Sequence, residues 1–513
     1  MLAATALSAQ TAAPPRVGKI TIETLDIYSQ TEASRGFLYR TADKLHIETR
    51  KSVIEKFLLF HEGDEFHPER LAETERNLRA LRFLKSANVT AGSPHDGLVD
   101  VTVTTQDAWT IAPETQAGSR GGSSSLGVNL SDTNILGLGK DLSFGWDRNS
   151  DRTTRAIAYN DPAFFGSYWN GRFAYGSNSD GYDHRVSVRR PFYSFATPWA
   201  LDLTFNNFLR QDRQYTDGVE TRRFRQHHRI FSAGYGIAWN PNDLDASRIV
   251  AGVRLITDDF SSLAGTRTPD LPQFREFRYL FVRLERVEND FLKLNFVDKD
   301  MRYEDFNLGR QVSIETAISP GPRTMTGFAR AAGAIGWRIG EDGFFMPDAR
   351  VETRFSGGFA NAVAGSSMLF VHRNNVAAHP RAFVARFTAT SSWRPDGDLQ
   401  LYADGMNGLR GYRIHSFSGT RSVVINVEER LFLGREVLQL LSPGVVVFAD
   451  AGNATNGGLA SLFTMKSDVG FGFRMGLPRT PKNLLRLDFA YALNRDPLGR
   501  RGWLVSFASG QAF

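Results

Sequence analysis

From about Glu114 to its C-terminus, this chain repeatedly alternates apolar residues with polar or very small ones. Alternation with a period of two is typical of a β-strand that has one apolar face. The chain also has 47 glycines and 39 phenylalanines, and many of the glycines lie opposite the apolar faces. Glycine on one face and aromatic residues near strand ends favour a barrel that stands in lipid. The clearest alternating runs are Phe231 to Trp239, Val469 to Leu477, Leu485 to Leu493 and Trp503 to Phe507.

No window of the sequence approaches the ~18 to 20 consecutive apolar residues that a membrane helix needs. Roughly 400 residues follow the first domain, and strands of ~9 to 11 residues plus loops then give about sixteen strands. The predicted fold class is therefore mainly β, a transmembrane antiparallel β-barrel preceded by a small α+β domain. A soluble sandwich, whose apolar faces would pack against each other, remains an alternative.

The stretch before the barrel has a different pattern, with two helical segments between strand-like ones. Each helical segment has one apolar side, and Pro68 suits the first turn of the second helix. This order, β-α-α-β-β, predicts a short sheet that covers a helical pair. The predicted elements are Val17 to Ile22, Ser52 to Phe60, Pro68 to Leu81, Phe83 to Thr90 and Leu98 to Thr104.

Three regions follow from these patterns: a truncated signal segment at 1–13, the α+β domain at 15–112 and the barrel at 114–513. Met1 to Gln10 reads as the end of a secretory signal with a small-residue cleavage site near Ala9. The absence of cysteine fits an exported bacterial protein without disulfides, and also a reduced cytosolic one. The net charge of +6 is scattered along the chain instead of forming a patch, which argues against nucleic-acid binding.

The most informative polar feature is Arg410, which lies in the run Gly408-Leu409-Arg410-Gly411-Tyr412. A guanidinium that leaves bulk water needs an acidic or polar partner, and Glu428 and Asp450 are the candidates. A surface turn with a solvated arginine is the alternative. If Val423, Ile425 and Val427 face lipid, strand parity turns Asn426, Glu428 and Arg430 inward.

The C-terminal half resembles the BamA/TamA family of outer-membrane assembly barrels, the bacterial surface antigen superfamily. The matching motifs keep their order and spacing over about the last hundred residues. Asn134 to Gly139 looks like that family's first hairpin turn, and the β-α-α-β-β unit looks like a single POTRA domain. Better-known members carry several such domains, and no Gly-x-Ser-x-Gly lipase segment precedes this barrel. The motifs are Leu409-Arg410-Gly411-Tyr412, Asn426 to Arg430, Phe448 to Asn453, Gly470 to Arg474, Leu487 to Ala490 and a final phenylalanine.

The resemblance implies that the loop with Arg410 enters the lumen and is locked there by Asp450, with Glu428 close by. It also implies a barrel-terminal signal at the C-terminus, a first strand near Leu126 to Leu130 and a last strand near Leu504 to Ala508. The expected lock residues are Arg410, Gly411, Tyr412, Glu428, Asp450 and Gly452, and the expected terminal signal is Trp503, Phe507 and Phe513.

For the function, the resemblance implies insertion or translocation of client polypeptides through a lateral seam in the outer membrane. Lipid and client polypeptides would be the partners, with further periplasmic proteins at the POTRA-like domain. A passive channel and a lipid-transporting barrel stay open as alternatives. An enzyme is not expected, and no cofactor or metal is, because the histidines lie in no catalytic constellation and the pair His227-His228 suggests a polar loop or strand end.

Overall fold

The computed structural model describes residues 14–28, 46–263, 265, 270–321, 325–374, 379–438, 440–480 and 484–513, without the side chains of 112–118 and 120. The predicted signal segment at 1–13 lies outside the described residues. The chain divides into two compact units, Met1–Asp107 and Ala108–Phe513. Within the described residues, no helix is long and apolar enough to cross a bilayer.

The N-terminal unit has the predicted β-α-α-β-β order. Its sheet has the order β1-β3-β2, with β1 parallel and β2 antiparallel to the central strand β3. The apolar sides of both helices are buried, including Val53, Ile54, Leu71 and Leu78. The first helix is shorter than predicted, because the chain leaves helical geometry after Lys56. The elements are β1 Arg16–Leu25, α1 Lys51–Glu55, α2 Pro68–Arg79, β2 Leu84–Ala91 and β3 Leu98–Asp107.

The second unit is a closed antiparallel β-barrel. In the described residues its wall contains twenty strands. This count takes Thr326–Ala334 and Trp337–Arg338 as one interrupted strand, because both pair with the same edge of the strand Gly343–Phe355. The wall segments are β4 Ile111–Arg120, β5 Ser123–Asp132, β6 Asp141–Arg148, β7 Thr153–Phe164, β8 Trp169–Asn178, β9 Gly181–Arg190, β10 Trp199–Thr216, β11 Val219–Trp239, β12 Asp245–Ser261, β13 Arg275–Glu288, β16 Gln311–Ser319, β17 Thr326–Ala334, β18 Trp337–Arg338, β19 Gly343–Phe355, β20 Phe359–Asn374, β21 Arg381–Trp393, β24 Arg421–Phe432, β25 Ser442–Thr455, β26 Lys466–Gly476, β27 Leu484–Ala492 and β28 Trp503–Ser509.

Two short hairpins lie between these wall strands. One is β14 Phe291–Leu294 with β15 Glu304–Asn307, and the other is β22 Leu401–Ala403 with β23 Phe417–Gly419. Both pair only within themselves among the described strands. They are therefore insertions in the connections after β13 and after β21.

The prediction of about sixteen strands was too low, because several connections are much shorter than the estimate assumed. Gly121 and Gly122 alone join β4 to β5, and both have positive φ, which a two-residue hairpin turn requires. This turn, and not Asn134 to Gly139, is the first hairpin of the barrel. The predicted first strand, Leu126 to Leu130, is accordingly part of the second strand β5, whereas the last strand lies where it was predicted.

The predicted parity of the wall is confirmed in the C-terminal strands, with one exception: Val423, which was expected to face lipid, is only 3% exposed. Phe471 and Phe473 on β26 are exposed on the outer face, while Asn426, Glu428 and Arg430 on β24 are buried. Outward apolar and inward polar residues in one wall are the reverse of a soluble core, so the sandwich alternative is wrong. The lumen near these strands is filled by side chains and by inserted chain.

Candidate functional site

The connection between β21 and β24, residues 394–420, forms a compact loop around the buried carboxylate of Asp404. This carboxylate accepts hydrogen bonds from the backbone amides of Met406, Asn407 and His415, at 2.9, 3.1 and 2.6 Å. The backbone carbonyl of Asp404 also accepts from the amide of Leu409 at 2.8 Å. One acidic side chain thus fixes both ends of a turn, in the manner of an Asx turn, and the turn presents the next residue, Arg410.

Arg410 is almost completely buried and is bound to two carboxylates. Its Nε and Nη2 atoms donate to the two oxygens of Asp450 at 2.7 and 2.8 Å, which is the bidentate geometry of a strong ion pair. Nη1 donates to Glu428. The exposed fractions of the three residues are 3%, 1% and 0%. Arg410 is therefore not a solvated arginine in a surface turn, and burial among carboxylates keeps the guanidinium charged.

The guanidinium also lies over an aromatic ring. The Cζ atom of Arg410 is 3.4 Å from the ring centroid of Phe448, the inward residue two positions before Asp450 on β25. A cation over an aromatic face is attracted most strongly where water is excluded. Charge, hydrogen bonds and ring packing therefore all hold Arg410 in one place.

A wider ion cluster, which we call the inner cluster, surrounds this pair on β24 to β27. Arg430 donates to Glu428 at 2.7 Å, and Arg474 and Arg486 donate to Asp488 at 2.6 and 3.2 Å. Each of the four arginines has a carboxylate partner within the cluster, which a buried charge requires. Its members are Arg410, Arg430, Arg474, Arg486, Glu428, Asp450, Asp468 and Asp488, each no more than 5% exposed.

Five of the eight members of the inner cluster were missing from the predicted lock: Arg430, which parity had already turned inward, and Asp468, Arg474, Arg486 and Asp488. A usable signal exists for the last four, because they alternate with the outward aromatic residues of β26 and β27. Strand parity alone would have turned them inward. Which of them would meet across strands depends on register, which the sequence does not reveal.

The remaining predicted lock residues all lie at close contacts. A Cβ atom on Gly411 would lie 2.6 Å from the Cβ atom of Asp468, so only glycine fits there without displacement. A Cβ atom on Gly452 would likewise lie 2.5 Å from the carbonyl oxygen of Val423 on β24. Tyr412 is buried, and its hydroxyl donates to the carbonyl of Ser467 at 2.9 Å. Burial raises the pKa of Tyr412 to about 12, so this hydroxyl keeps its proton.

The predicted terminal signal divides into three different environments. Trp503 is exposed on the outer face, and Phe507 carries the pairing of β28 with β4. Phe513 is not part of the last strand, which ends at Ser509. After Gly510, at φ +80°, the chain turns inward, and the Phe513 ring centroid lies 5.8 and 5.5 Å from the Cζ atoms of Arg410 and Arg430. The aromatic end of the chain therefore packs against the inner cluster.

The insertion that contains β14 and β15 closes the inner cluster from another side. The carbonyl of Val297 accepts a hydrogen bond from Arg430 at 2.6 Å. Phe296 and Val297 belong to an apolar cluster with Phe344, Val371 and Phe432, against which Phe513 also packs. Nothing in the sequence pattern had distinguished residues 289–310 from an ordinary loop.

The outer end of the 394–420 loop is held by the long strands β10 to β13. The rings of Tyr215 and His415 stack with centroids 3.7 Å apart, and Gln400 accepts from the Tyr215 amide at 2.9 Å. Arg275 binds the carboxylate of Asp398 through two bonds, at 2.7 and 2.9 Å. We call Arg275, Asp258 and Asp398 the outer cluster. It borders a polar cavity of about 400 Å³ that is also lined by His228.

The histidine pair His227-His228 lies within β11, and the prediction of a loop or strand end was wrong. Its neighbours along the chain are polar because β11 has 21 residues and continues well beyond its apolar part. Nδ1 of His228 is 2.7 Å from Asp258 of the outer cluster. Across the described residues, no group of three His, Cys, Asp or Glu side chains could hold a metal ion.

The fold and the site together define a class: a closed β-barrel whose lumen contains an inward loop fixed by a buried arginine. No protein-family model and no curated protein matches this sequence. Among solved structures, CdiB from Acinetobacter baumannii aligns with 97% of this chain and 74% of its own, at 11% identity and a TM-score of 0.47.

Two further structures align over most of both chains at 11% identity. CdiB from Escherichia coli covers 99% of this chain and 92% of its own, with a TM-score of 0.42. BamA from Haemophilus ducreyi lacking POTRA domains 1-3 covers 96% and 84%, with a TM-score of 0.35. The likeness is one of overall fold and assigns no activity to this chain.

Proposed function

We propose that this chain is an outer-membrane barrel of the BamA/TamA type, which inserts or translocates client polypeptides through the seam between β28 and β4. The observation that carries the proposal is the pairing at this seam. β28 and β4 are in register at a single position, Phe507 with Ser119. Every other pair of neighbouring wall strands in the described residues has at least seven paired positions, if β17 and β18 are counted as one strand.

A seam with one paired position leaves most backbone N–H and C=O groups of both edges without a strand partner. In hydrocarbon such groups are costly, and an added strand satisfies them. An incoming client segment could therefore pair with the edge of β4 or β28 by strand addition. This is a physical basis for insertion that needs no chemical catalysis.

The outer surface supports a position in the outer membrane. Apolar side chains such as Leu203, Leu255, Leu280 and Val282 are exposed on neighbouring strands, where only lipid could cover them. By extension, the N-terminal unit is a POTRA-like domain in the periplasm, where the free edges of its sheet could bind an extended client or a partner protein.

A passive channel is less well supported than insertion. A diffusion pore needs a continuous aqueous path, whereas the 394–420 loop, the β14–β15 insertion and Phe513 all pack into the lumen around the inner cluster. A lipid-transporting barrel would use the same seam, so the experiment must identify what the seam contacts.

The test is photocrosslinking in living cells from single positions at the seam. A photoreactive residue replaces Ser119 on β4 or Phe507 on β28, and the matched control replaces Val282, an outward residue of β13 with full pairing on both sides. We expect client polypeptides to be captured at the seam and not at Val282. Captured barrel proteins would indicate insertion, and captured soluble proteins translocation. Captured lipid alone, or equal capture at Val282, would contradict the proposal.

The role that we propose for Arg410 is to hold the loop in the lumen during this cycle. Arg410→Ala should impair client insertion while the protein still reaches the membrane, and a variant that complements a deletion normally would rule this role out.

A further inference from the structure

The 394–420 loop touches the first hairpin of the barrel directly after the inner cluster. The backbone amide of Ile414 donates to the carbonyl of Gly121, the first residue of the β4–β5 turn, at 2.8 Å. Gly121 has a φ of +54°, in the left-handed region that favours glycine. The bond joins residues far apart in sequence, so tertiary structure and not the local turn creates it.

This contact is too close for any side chain on the turn. A Cβ atom on Gly121 would lie 2.7 Å from the amide nitrogen of Ile414, and one on Gly405 would lie 2.5 Å from the Cα atom of Gly121. Next to it, a Cβ atom on Gly122 would lie 3.3 Å from the side chain of Arg413. Two glycines, one from the loop and one from the turn, therefore allow the two backbones to touch.

The same loop is anchored on the other side of the seam. Arg410 is bound to β24 and β25, and the Tyr412 hydroxyl is bound to the carbonyl of Ser467 on β26. β26, β27 and β28 follow one another to the seam, and β4 begins beyond it. The loop thus connects the last strands of the barrel to the first hairpin without using the ladder between β28 and β4.

We propose that Gly405, Arg413 and Ile414 form a strap that holds the hairpin end of β4 in place across the seam. The only paired position of the seam, Ser119 with Phe507, lies two residues from Gly121, so the strap and the ladder hold the same end of β4. The rest of β4, toward Ile111, is left as an edge. Gly121 and Ile414 are then positioning residues for the seam. Their importance for client insertion rests on the proposed function, but the strap itself does not.

The experiment measures closure of the seam in the full-length barrel, independently of any client. The chain has no cysteine, so Ser119→Cys with Phe507→Cys reports seam pairing through the yield of their disulfide. Adding Gly121→Ala should lower that yield roughly fivefold, the factor expected for the loss of one hydrogen bond. The matched control is Gly166→Ala, which imposes a similar positive-φ strain at +75° but has no neighbour within 4 Å.

Unchanged disulfide yield in Gly121→Ala, or an equal loss in Gly166→Ala, would overturn the strap. If Gly121→Ala does not fold, a second variant decides: Gly122→Cys with Arg413→Cys in the otherwise native chain. We expect oxidation to join these positions nearly completely and to raise the temperature at which the barrel loses its compact electrophoretic mobility. A folded barrel in which they do not join would refute the contact. A strap that passes both tests while Ser119 captures no client would leave the strap standing and the proposed function refuted.

Discussion

The inner and outer clusters hold two ends of the same loop with the same chemistry, an arginine bound by carboxylates, but they differ in access to water. Arg275 also contacts a third carboxylate, Asp396, at 3.3 Å. The side chains of Arg410, Glu428 and Asp450 are 4%, 0% and 0% exposed, whereas those of Arg275, Asp258 and Asp398 are 12%, 9% and 21% exposed. The outer cluster also borders a polar cavity.

This difference in hydration decides what each cluster contributes. A buried pair that loses one partner leaves an uncompensated charge in a low dielectric, while water can replace either partner of a hydrated pair. The inner end of the loop should therefore stay fixed, and the outer end should be able to detach and rebind. If the loop moves when the seam opens, the outer end is the part that moves.

The largest expected effect is that of Arg410→Ala. It removes the loop cation of the inner cluster and breaks the ion pair of the buried Asp450 carboxylate, while Glu428 keeps Arg430. We therefore expect the free energy of unfolding to fall by ~3 to 5 kcal/mol. The measurement is the midpoint of urea unfolding in detergent. Unfolding is monitored through the loss of the compact, heat-modifiable electrophoretic mobility of the folded barrel. A midpoint equal to that of the unaltered barrel would mean that the inner cluster is hydrated, and the contrast between the two clusters would disappear.

A second prediction concerns Asp300, a fully buried residue in the insertion between β14 and β15. Burial raises its pKa from 3.8 to about 6. The folded state therefore binds a proton more tightly than the unfolded state, so the stability is greatest below about pH 4 and falls as the pH rises toward 6. Asp300→Asn mimics the protonated form and should stabilise the barrel by about 3 kcal/mol at pH 7.

The check on Asp300 is the pH dependence of thermal unfolding. The unaltered chain should lose stability between pH 4 and 6, while Asp300→Asn should show less of this loss and match the unaltered chain near pH 4. An asparagine variant that is less stable at neutral pH would indicate that the carboxylate has a cationic partner. Asp300 would then be part of a buried ion pair, as the carboxylates of the inner cluster are, in spite of its apolar surroundings.

Arg275→Ala tests the outer cluster directly. Because this arginine is partly hydrated, its loss should cost only about 1 kcal/mol of global stability. The larger change should be local, with faster proteolysis of residues 394–400 while the barrel keeps its folded mobility. Asp398→Asn is the matched control, since it removes the same bidentate pair from the loop side. If Arg275→Ala unfolds the barrel as readily as Arg410→Ala, the two clusters are equivalent.

The two clusters also show which parts of this protein its sequence could predict. Arg410, Glu428 and Asp450 were predicted together because the family resemblance implied their pairing, and parity, which depends only on local alternation, turned Glu428 inward. The N-terminal elements were also predicted from local periodicity. Arg275 and Asp398 of the outer cluster were not singled out, because they are 123 residues apart and meet only through the course of the loop.

Other errors have the same origin. β4 reads Ile111-Ala-Pro-Glu-Thr-Gln-Ala-Gly-Ser-Arg120, with almost no alternation, so the predicted first strand moved to the clearer pattern of β5. Phe513 looked like a strand terminus because an aromatic residue ends an alternating run, but Gly510 redirects it into the lumen. Whether a loop or terminal residue lies in the lumen depends on tertiary structure, which local alternation does not encode.

The smallest expected effect is that of Arg310→Ala, which removes an ion pair that is largely exposed to water. Arg310 donates to Glu288 through Nε at 2.9 Å, a geometry close to that of Arg410 with Asp450, but its side chain is 69% exposed. Screening and side-chain entropy remove nearly all the value of such a pair. Arg310→Ala should leave the unfolding midpoint, the proteolysis pattern and client capture unchanged within error. A measurable loss would show that bond geometry, and not exclusion of water, sets the strength of these pairs, and the ranking of all four variants would have to be abandoned.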